Sequence, residues 1–290
     1  MLCAVKTFGG MRVTSRRLGT LALVAAATLS GIAASPAFAQ TRTRPVDVIG
    51  KPAPPTDPKN KIGLDYEYEN FNNNFSDWHW LSLEYSHRWE PVTLIGRVNW
   101  AQRFDEDATQ YEVDAYPKLW KGAYLYLNFG VAEHDTFFPD HRYGAELFWG
   151  FGKAMEASVG MRRLEFDPRY VNLYTGSLGW YRGNWFYAIR PWVSNKPGET
   201  AVSGSFMMRR YFATRDDHCT LRVGGGEGSD FDQSIDELLL SHQWNITGEW
   251  QRRFSPMWIA KAKAGFRSVE YDTGTQRDSW MVGGGIARLF

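Results

Sequence analysis

Residues 171–194 read VNLYTGSLGWYRGNWFYAIRPWVS. Two alternating, aromatic-rich runs flank Arg182-Gly183-Asn184. Runs of Val, Ile, Tyr, Phe, Trp and Thr with a period of two are strands, and a short Gly/Asn break between them is a hairpin turn. The stretch is therefore one β-hairpin.

The same unit recurs along the chain. Alternation predicts strands over 61–69, 78–89, 92–103, 110–119, 123–133, 142–152, 155–165, 171–182, 185–194, 200–212, 218–225, 236–252, 257–269 and 279–290. The count is about fourteen, and twelve would also satisfy the spacing. Each run is near the 9–11 residues of a tilted membrane-crossing strand. The connections between them interleave two classes. Short ones are Glu90-Pro91, Lys121-Gly122, Lys153-Ala154, Gly183-Asn184, Thr214-Arg215-Asp216 and Ser255-Pro256. Longer, more polar ones cover 70–77, 104–109, 134–141, 166–170, 195–199, 226–235 and 272–277. Outer-membrane barrels pair short periplasmic turns with longer outer loops. The expectation is an all-β fold, a transmembrane antiparallel up-and-down β-barrel over 61–290, with both termini periplasmic.

Composition agrees with that expectation. The chain has 290 residues, a formal net charge of +1, 13 Trp and 14 Tyr. A near-neutral balance gives no argument for nucleic acid as a partner. Aromatic rings suit a lipid–water boundary. Arg12, Arg16 and Arg17 precede the apolar run 18–27, and Ser35-Pro36-Ala37-Phe38-Ala39 follows. This pattern is a secretory signal peptide over 1–39. Residues 40–60 hold Pro45, Pro52, Pro54, Pro55 and Pro58 and read as a flexible periplasmic linker. With Cys3 in the leader, Cys219 has no intrachain partner.

Alternation also divides the residues between two faces. Ala123, Leu125, Leu127, Phe129 and Val131 alternate with Tyr124, Tyr126 and Asn128. Met155, Ala157, Val159 and Met161 alternate with Glu156, Ser158, Gly160 and Arg162. One set suits lipid and the other a polar lumen. Pro117 and Pro191 fall inside expected strands, where a missing N–H removes a ladder donor. They are expected to mark bulges or strand ends. The chain finishes on Phe290, preceded at alternate positions by Ile286, Val282 and Trp280. A terminal Phe on a last strand resembles the signal read by barrel-assembly machinery. Arg288 departs from that pattern.

The motifs Leu83-Glu84-Tyr85-Ser86-His87-Arg88-Trp89, the run 174–185 and Arg209-Arg210-Tyr211-Phe212 resemble the YaiO-type outer-membrane β-barrel family. The resemblance covers roughly 61–290. It implies a bacterial outer-membrane location and brings no catalytic residues.

Candidate functional residues are the polar side chains expected in the lumen. They are Glu84, Arg88, Arg97, Glu112, Asp114, Glu146, Glu156, Arg162, Arg190, Arg209, Lys261 and Lys263, with Asp65, Glu67, Lys118 and Arg267 beside them. Either they line a wet channel, or they neutralise one another in a filled interior, because unpaired buried charge is costly. Catalysis finds little support. Ser86-His87 and Ser241-His242 are adjacent pairs, so their side chains point to opposite faces. No G-x-S-x-G occurs. The 224–228 glycine run lacks the Lys-Ser/Thr of a phosphate loop. Asp230-x-Asp232-x-Ser234-x-Asp236 lacks the Gly and Glu of a calcium loop. His134, Asp135, Asp140 and His141 read as a soluble loop tip. No metal or cofactor is expected. Trp78, Trp80, Trp89, Trp100, Trp120, Trp149, Trp180, Trp185, Trp192 and Trp280 are expected mainly in interfacial girdles, with a minority inward where they could stack on sugar rings. The reading is a non-enzymatic narrow pore or structural barrel whose partners are outer-membrane lipid and the assembly machinery. A polysaccharide-export accessory and a lipid- or polysaccharide-modifying enzyme are the alternatives.

Overall fold

A computed structural model describes residues 58–72, 76–103, 105–133, 137–196, 199–227, 241–271 and 274–290. The expected leader, nearly all of the linker, residues 134–135 and 230–236, and the first part of the strand expected over 236–252 lie outside these residues.

Fourteen antiparallel strands form one closed barrel. They are β1 (Asn60–Phe71), β2 (Trp78–Arg88), β3 (Val92–Arg103), β4 (Glu106–Trp120), β5 (Ala123–Ala132), β6 (His141–Phe151) and β7 (Met155–Phe166). The second half is β8 (Arg169–Arg182), β9 (Trp185–Lys196), β10 (Glu199–Tyr211), β11 (His218–Glu227), β12 (Ser241–Ser255), β13 (Trp258–Tyr271) and β14 (Gln276–Leu289). Each strand pairs with its sequence neighbours, and β1 pairs with β14 from Lys61↔Leu289 to Phe71↔Ser279. Asn60 and Phe290 exchange both backbone hydrogen bonds beyond that seam. Closure leaves no unpaired sheet edge, which the hydrocarbon region would not tolerate.

The hairpin over 171–194 turns at 183–184, where Gly183 takes φ 58°. Three connections expected to be long are tight instead. Residues 104–105, 167–168 and 197–198 are all that separate their strands. The polar residues assigned to loops there, such as Glu106, Asp107 and Arg169, extend the strands. Backbone pairing continues past the point where the apolar alternation fades, and Asp105 turns the chain at φ 63°. Conversely, 212–217 forms a six-residue turn at the end carrying the termini. There Thr214 Oγ1 donates to Asp217 Oδ2 at 2.7 Å.

Pro117 and Pro191 both lie within strands, not at their ends. Pro117 pairs with Val92 on one side, while the β4–β5 ladder skips from Ala115↔Leu127 to Lys118↔Tyr124 and shifts register just beyond. Pro191 pairs with Gly204, while the β8–β9 ladder skips from Thr175↔Trp192 to Leu178↔Ile189. Each ring interrupts one ladder and leaves the other whole, because a strand residue uses its N–H toward one neighbour.

The faces follow the alternation. Leu127, Phe129, Val159 and Met161 are exposed on the outside, and Tyr124, Tyr126, Asn128, Ser158 and Arg162 are buried inside. Aromatic residues cluster outward near both rims. Trp89, Trp120, Phe254 and Phe290 are exposed at the terminus end, and Tyr66, Tyr111, Tyr174 and Trp280 toward the loop end. Arg288, the residue that broke the terminal pattern, places its guanidinium 5.9 Å from the Trp258 ring. Cys219 is exposed on the outer face.

Val113 lies outward near the middle of β4 and Trp120 at its terminus-end rim. Val113→Arg should destabilise the barrel by about 2–4 kcal/mol, and Trp120→Arg by about 0–1 kcal/mol. Urea unfolding in phosphocholine vesicles measures both. Equal costs would contradict the membrane-spanning assignment.

Candidate functional site: the charged lumen

The lumen begins from a rung at mid-height. Register sets Glu84 on β2 opposite Arg97 on β3, and Arg97 opposite Glu112 on β4. Arg97 forks to three carboxylates. Its Nε donates to Glu84 at 3.0 Å, Nη1 to Glu112 at 3.2 Å and Nη2 to Asp114 at 2.5 Å. Asn99 donates to Glu112 at 3.1 Å, and Asn128 to Asp114 at 2.6 Å. Lys61 reaches Glu84 from β1 at 2.7 Å. A planar guanidinium suits this geometry, since its five donors spread in a fixed fork.

Other pairs bridge strands that are not neighbours, and glycine makes the span possible. Arg142 on β6 donates to Glu112 on β4 at 3.0 Å, across Gly130 on β5. Lys261 on β13 donates to Asp65 on β1 at 2.8 Å, across Gly285 on β14. Lys263 reaches Glu67 at 2.9 Å across Gly283. A Cβ at Gly130 would stand 2.8 Å from Arg142 Cγ, and one at Gly283 would stand 2.7 Å from Glu67 Cγ. Arg267 extends the series to Glu69 at 3.4 Å, where Ser279 also donates at 2.5 Å.

A second group sits on β6–β9. Arg190 and Ser158 each donate to Glu146 at 2.6 Å. The Arg162 guanidinium lies 5.7 Å from the Tyr126 ring and 5.0 Å from the Trp192 ring. Arg209 donates to Thr220 at 2.8 Å on the opposite wall. Glu156 faces the lumen on β7, and Arg88 stands at the terminus-end mouth. Lys118 sits at that rim and pairs with Glu90. The hydrogen bond from Lys118 holds the exposed Glu90 carboxyl below its usual range. All the expected lumen residues therefore face inward, but in separate groups, not one constellation.

Lys61, Glu69, Arg142 and Glu249 join this lining and were absent from the sequence-based set. Strand parity would have found them. Arg142 precedes Glu146 by four residues, and Glu69 follows Glu67 by two. Among the inward Trp, Trp78 and Trp80 carry Arg103 at 4.5 Å and 5.6 Å from their rings, and Trp192 carries Arg162 and Arg190. Guanidinium groups thus take positions over rings that a sugar would need. Ser86 faces the lumen, whereas His87 Nδ1 lies 2.6 Å from Asn60 Oδ1. No cluster of metal-ligating side chains occurs among the described residues.

The lumen wall is asymmetric. Side chains of Arg97, Glu112 and Asp114 are at most 4% exposed, while Asp65 and Lys261 reach 28% and 27%. Asp65 on β1 and Lys261 on β13 therefore keep more contact with solvent than the central rung does. The β3–β6 wall is packed by large rings and charges, including the buried cluster Ile95, Tyr116, Tyr124, Tyr126 and Phe148.

Arg97→Ala would leave Glu84, Glu112 and Asp114 short of their shared cation. The expected cost is about 3–5 kcal/mol, since a buried charge is left uncompensated. Arg97→Lys should recover only part of it. Urea midpoints in detergent micelles measure both, and a loss below about 1 kcal/mol for Arg97→Ala would contradict the network's role.

No curated protein matches the chain. Solved structures with similar folds include the CymD monoaromatic hydrocarbon channel, at TM-score 0.53 and 7% identity over 91% of this chain and 93% of that one. An anion-selective porin from Comamonas acidovorans gives 0.41 and 10% over 80% and 98%, and OprD from Pseudomonas aeruginosa gives 0.44 and 7% over 80% and 95%. At these identities the likeness is one of fold. Residues 59–231 match the YaiO membrane beta barrel domain, a span that takes in β1 to β11, so the chain belongs to that family and is a bacterial outer-membrane β-barrel.

Proposed function

We propose that the barrel is a narrow, non-enzymatic pore for small polar solutes, with both termini on the periplasmic side. The asymmetric lumen carries this reading. One wall is filled by interlocked charges, and the β13–β1 side keeps Lys261 and Asp65 partly exposed.

Mutual neutralisation supports the non-enzymatic part. General acid–base work needs a group poised to gain or lose a proton at the reacting atom. Here the central carboxylates are committed to Arg97, Arg142, Arg190 and Lys61. The periplasmic assignment of the termini is supported by the shorter connections at that end, among them 121–122, 152–154 and 183–184, with 212–217 the longest there. The longer segments 133–140 and 228–240 lie at the other.

Selectivity depends on charges outside the packed central rung. Arg97 and Glu112 are sealed in the packed wall, so their removal should act on stability first. Lys263 lies beside Lys261 on β13, paired with Glu67 at 2.9 Å and outside the central rung. Lys263→Gln removes one positive charge there and leaves Glu67, so the reversal potential in a salt gradient should move toward cation preference. In planar bilayers the wild-type barrel should show small stepwise openings. A barrel that is folded by its heat-modifiable gel mobility and never conducts would overturn the pore.

A further inference from the structure

Arg182 on β8, Arg210 on β10, Arg252 on β12 and Arg288 on β14 all stand exposed on the outer face, near the terminus-end rim. Arg182 and Arg210 both pair with Trp185 on β9, so the three share one rung. That rung runs on through Cys219 on β11 to the exposed Trp250 on β12, two residues before Arg252. Arg288 pairs with Trp258 on β13. Residues two strands apart are separated by roughly 9–10 Å, so the arginines form a row along one half of the rim. Aromatic girdles mark the lipid–water boundary, and the shared rung with Trp185 sets Arg182 and Arg210 at that level.

The carboxylates of this half of the rim are engaged elsewhere. Asp216 lies 3.4 Å from Arg253, and Asp217 accepts from the Arg253 amide and from Thr214, with both carboxylates buried. Glu249 lies 3.3 Å from His218 inside the barrel. The chain-terminal carboxylate of Phe290, two residues from Arg288, offsets part of that charge. Arg182, Arg210 and Arg252 therefore carry the argument, and none of them makes an ion pair with a carboxylate among the described residues. Arg210 has only ring contacts, at 5.4 Å to Trp185 and 5.5 Å to Phe212. A ring supplies no oxygen, so the guanidinium N–H donors still call for an acceptor. The β1–β7 half of the rim differs in kind. It exposes Ile62, Tyr85, Trp89, Trp120, Phe151 and Met155. Lys118 there is paired with Glu90, and Lys121 and Lys153 sit in turns beyond the strands.

At the depth of a girdle the oxygens at hand are those of lipid headgroups. Guanidinium groups bind phosphate through charge-assisted hydrogen bonds, often two at a time. We infer that Arg182, Arg210 and Arg252, continued by Arg288, form a docking row for the phosphate headgroups of anionic phospholipid in the leaflet at the terminus end. The row depends on the membrane-spanning barrel and is independent of conduction.

Native mass spectrometry of the full chain, refolded and released from neutral detergent, counts bound lipid at known lipid fractions. Phosphatidylglycerol should bind about tenfold more tightly than phosphatidylcholine, and the preference should shrink as ammonium acetate is raised. Arg182→Gln with Arg210→Gln and Arg252→Gln should erase the preference while heat-modifiable mobility is kept. The single variants Arg182→Gln and Arg210→Gln serve if the triple change impairs refolding, with a smaller loss. Lys in place of the same three arginines keeps the charge and should retain most of the preference. Lys121→Gln with Lys153→Gln, on the other half of the rim, should leave it unchanged. Equal binding of the two lipids by the wild type would overturn the row, as would folded Gln variants that keep the preference. Loss of the preference in the Lys121 and Lys153 variant would reduce it to net charge and also overturn the row. Inorganic phosphate that displaces the lipid at equal concentration would mark a site for the free ion and overturn the lipid assignment.

Discussion

Charge compensation across a low-dielectric interior is the constraint on which this barrel depends. Carboxylates on β1, β2, β4 and β6 sit inside a cylinder surrounded by lipid, and none could stay ionised there alone. Their partners come from β1, β3, β6, β9 and β13. Several of these pairs are distant in sequence. Lys261 and Asp65 stand 196 residues apart and meet only when β14 lies between β13 and β1. Closing the barrel and neutralising the lumen are therefore one event. A seam left open would separate Asp65 and Glu67 from Lys261 and Lys263.

Glycine sets the geometry of those spans. Two strands flanking a third are separated by roughly 9–10 Å, twice the neighbour spacing. A Lys or Arg covers that distance most directly over a residue with no side chain, although Arg190 on β9 also reaches Glu146 on β6 with β7 and β8 between them. Gly130, Gly283 and Gly285 occupy those middle positions. The pairing side chains themselves fill the space over these glycines, and rings and guanidinium groups fill the rest of the β3–β6 side.

The outer surface obeys a separate rule. Leucine, valine, isoleucine and methionine face lipid between two aromatic rims, and among the described residues the ladders break only at Pro117, at Pro191 and at the register shifts Lys118/Trp120 and Arg253/Ser255. Pro117 and Pro191 show how little that exception matters when the second ladder is intact. Both faces act on every strand at once, and this makes register strict. A one-residue slip would turn the charged set into lipid and the apolar set into the lumen.

Alternation in stretches such as 123–131 and 155–162 determined the strands and divided their side chains between two faces, because side-chain direction has a fixed period of two. The connection pattern and the expected leader assigned the polar face inward and the barrel to a membrane. The paired turns and the resemblance around Tyr174–Trp185 pointed to the right family. Loop lengths at 104–105, 167–168 and 197–198 were misjudged, because backbone pairing continues where polar residues hide the pattern. Which cation meets which carboxylate, and which part of the lumen is most tightly packed, were decided only by the tertiary structure. These depend on closure and register between strands far apart in sequence. No local pattern carries that distance, so Gly283 and Gly285 look like ordinary strand glycines until Lys261 and Lys263 are seen to pass over them.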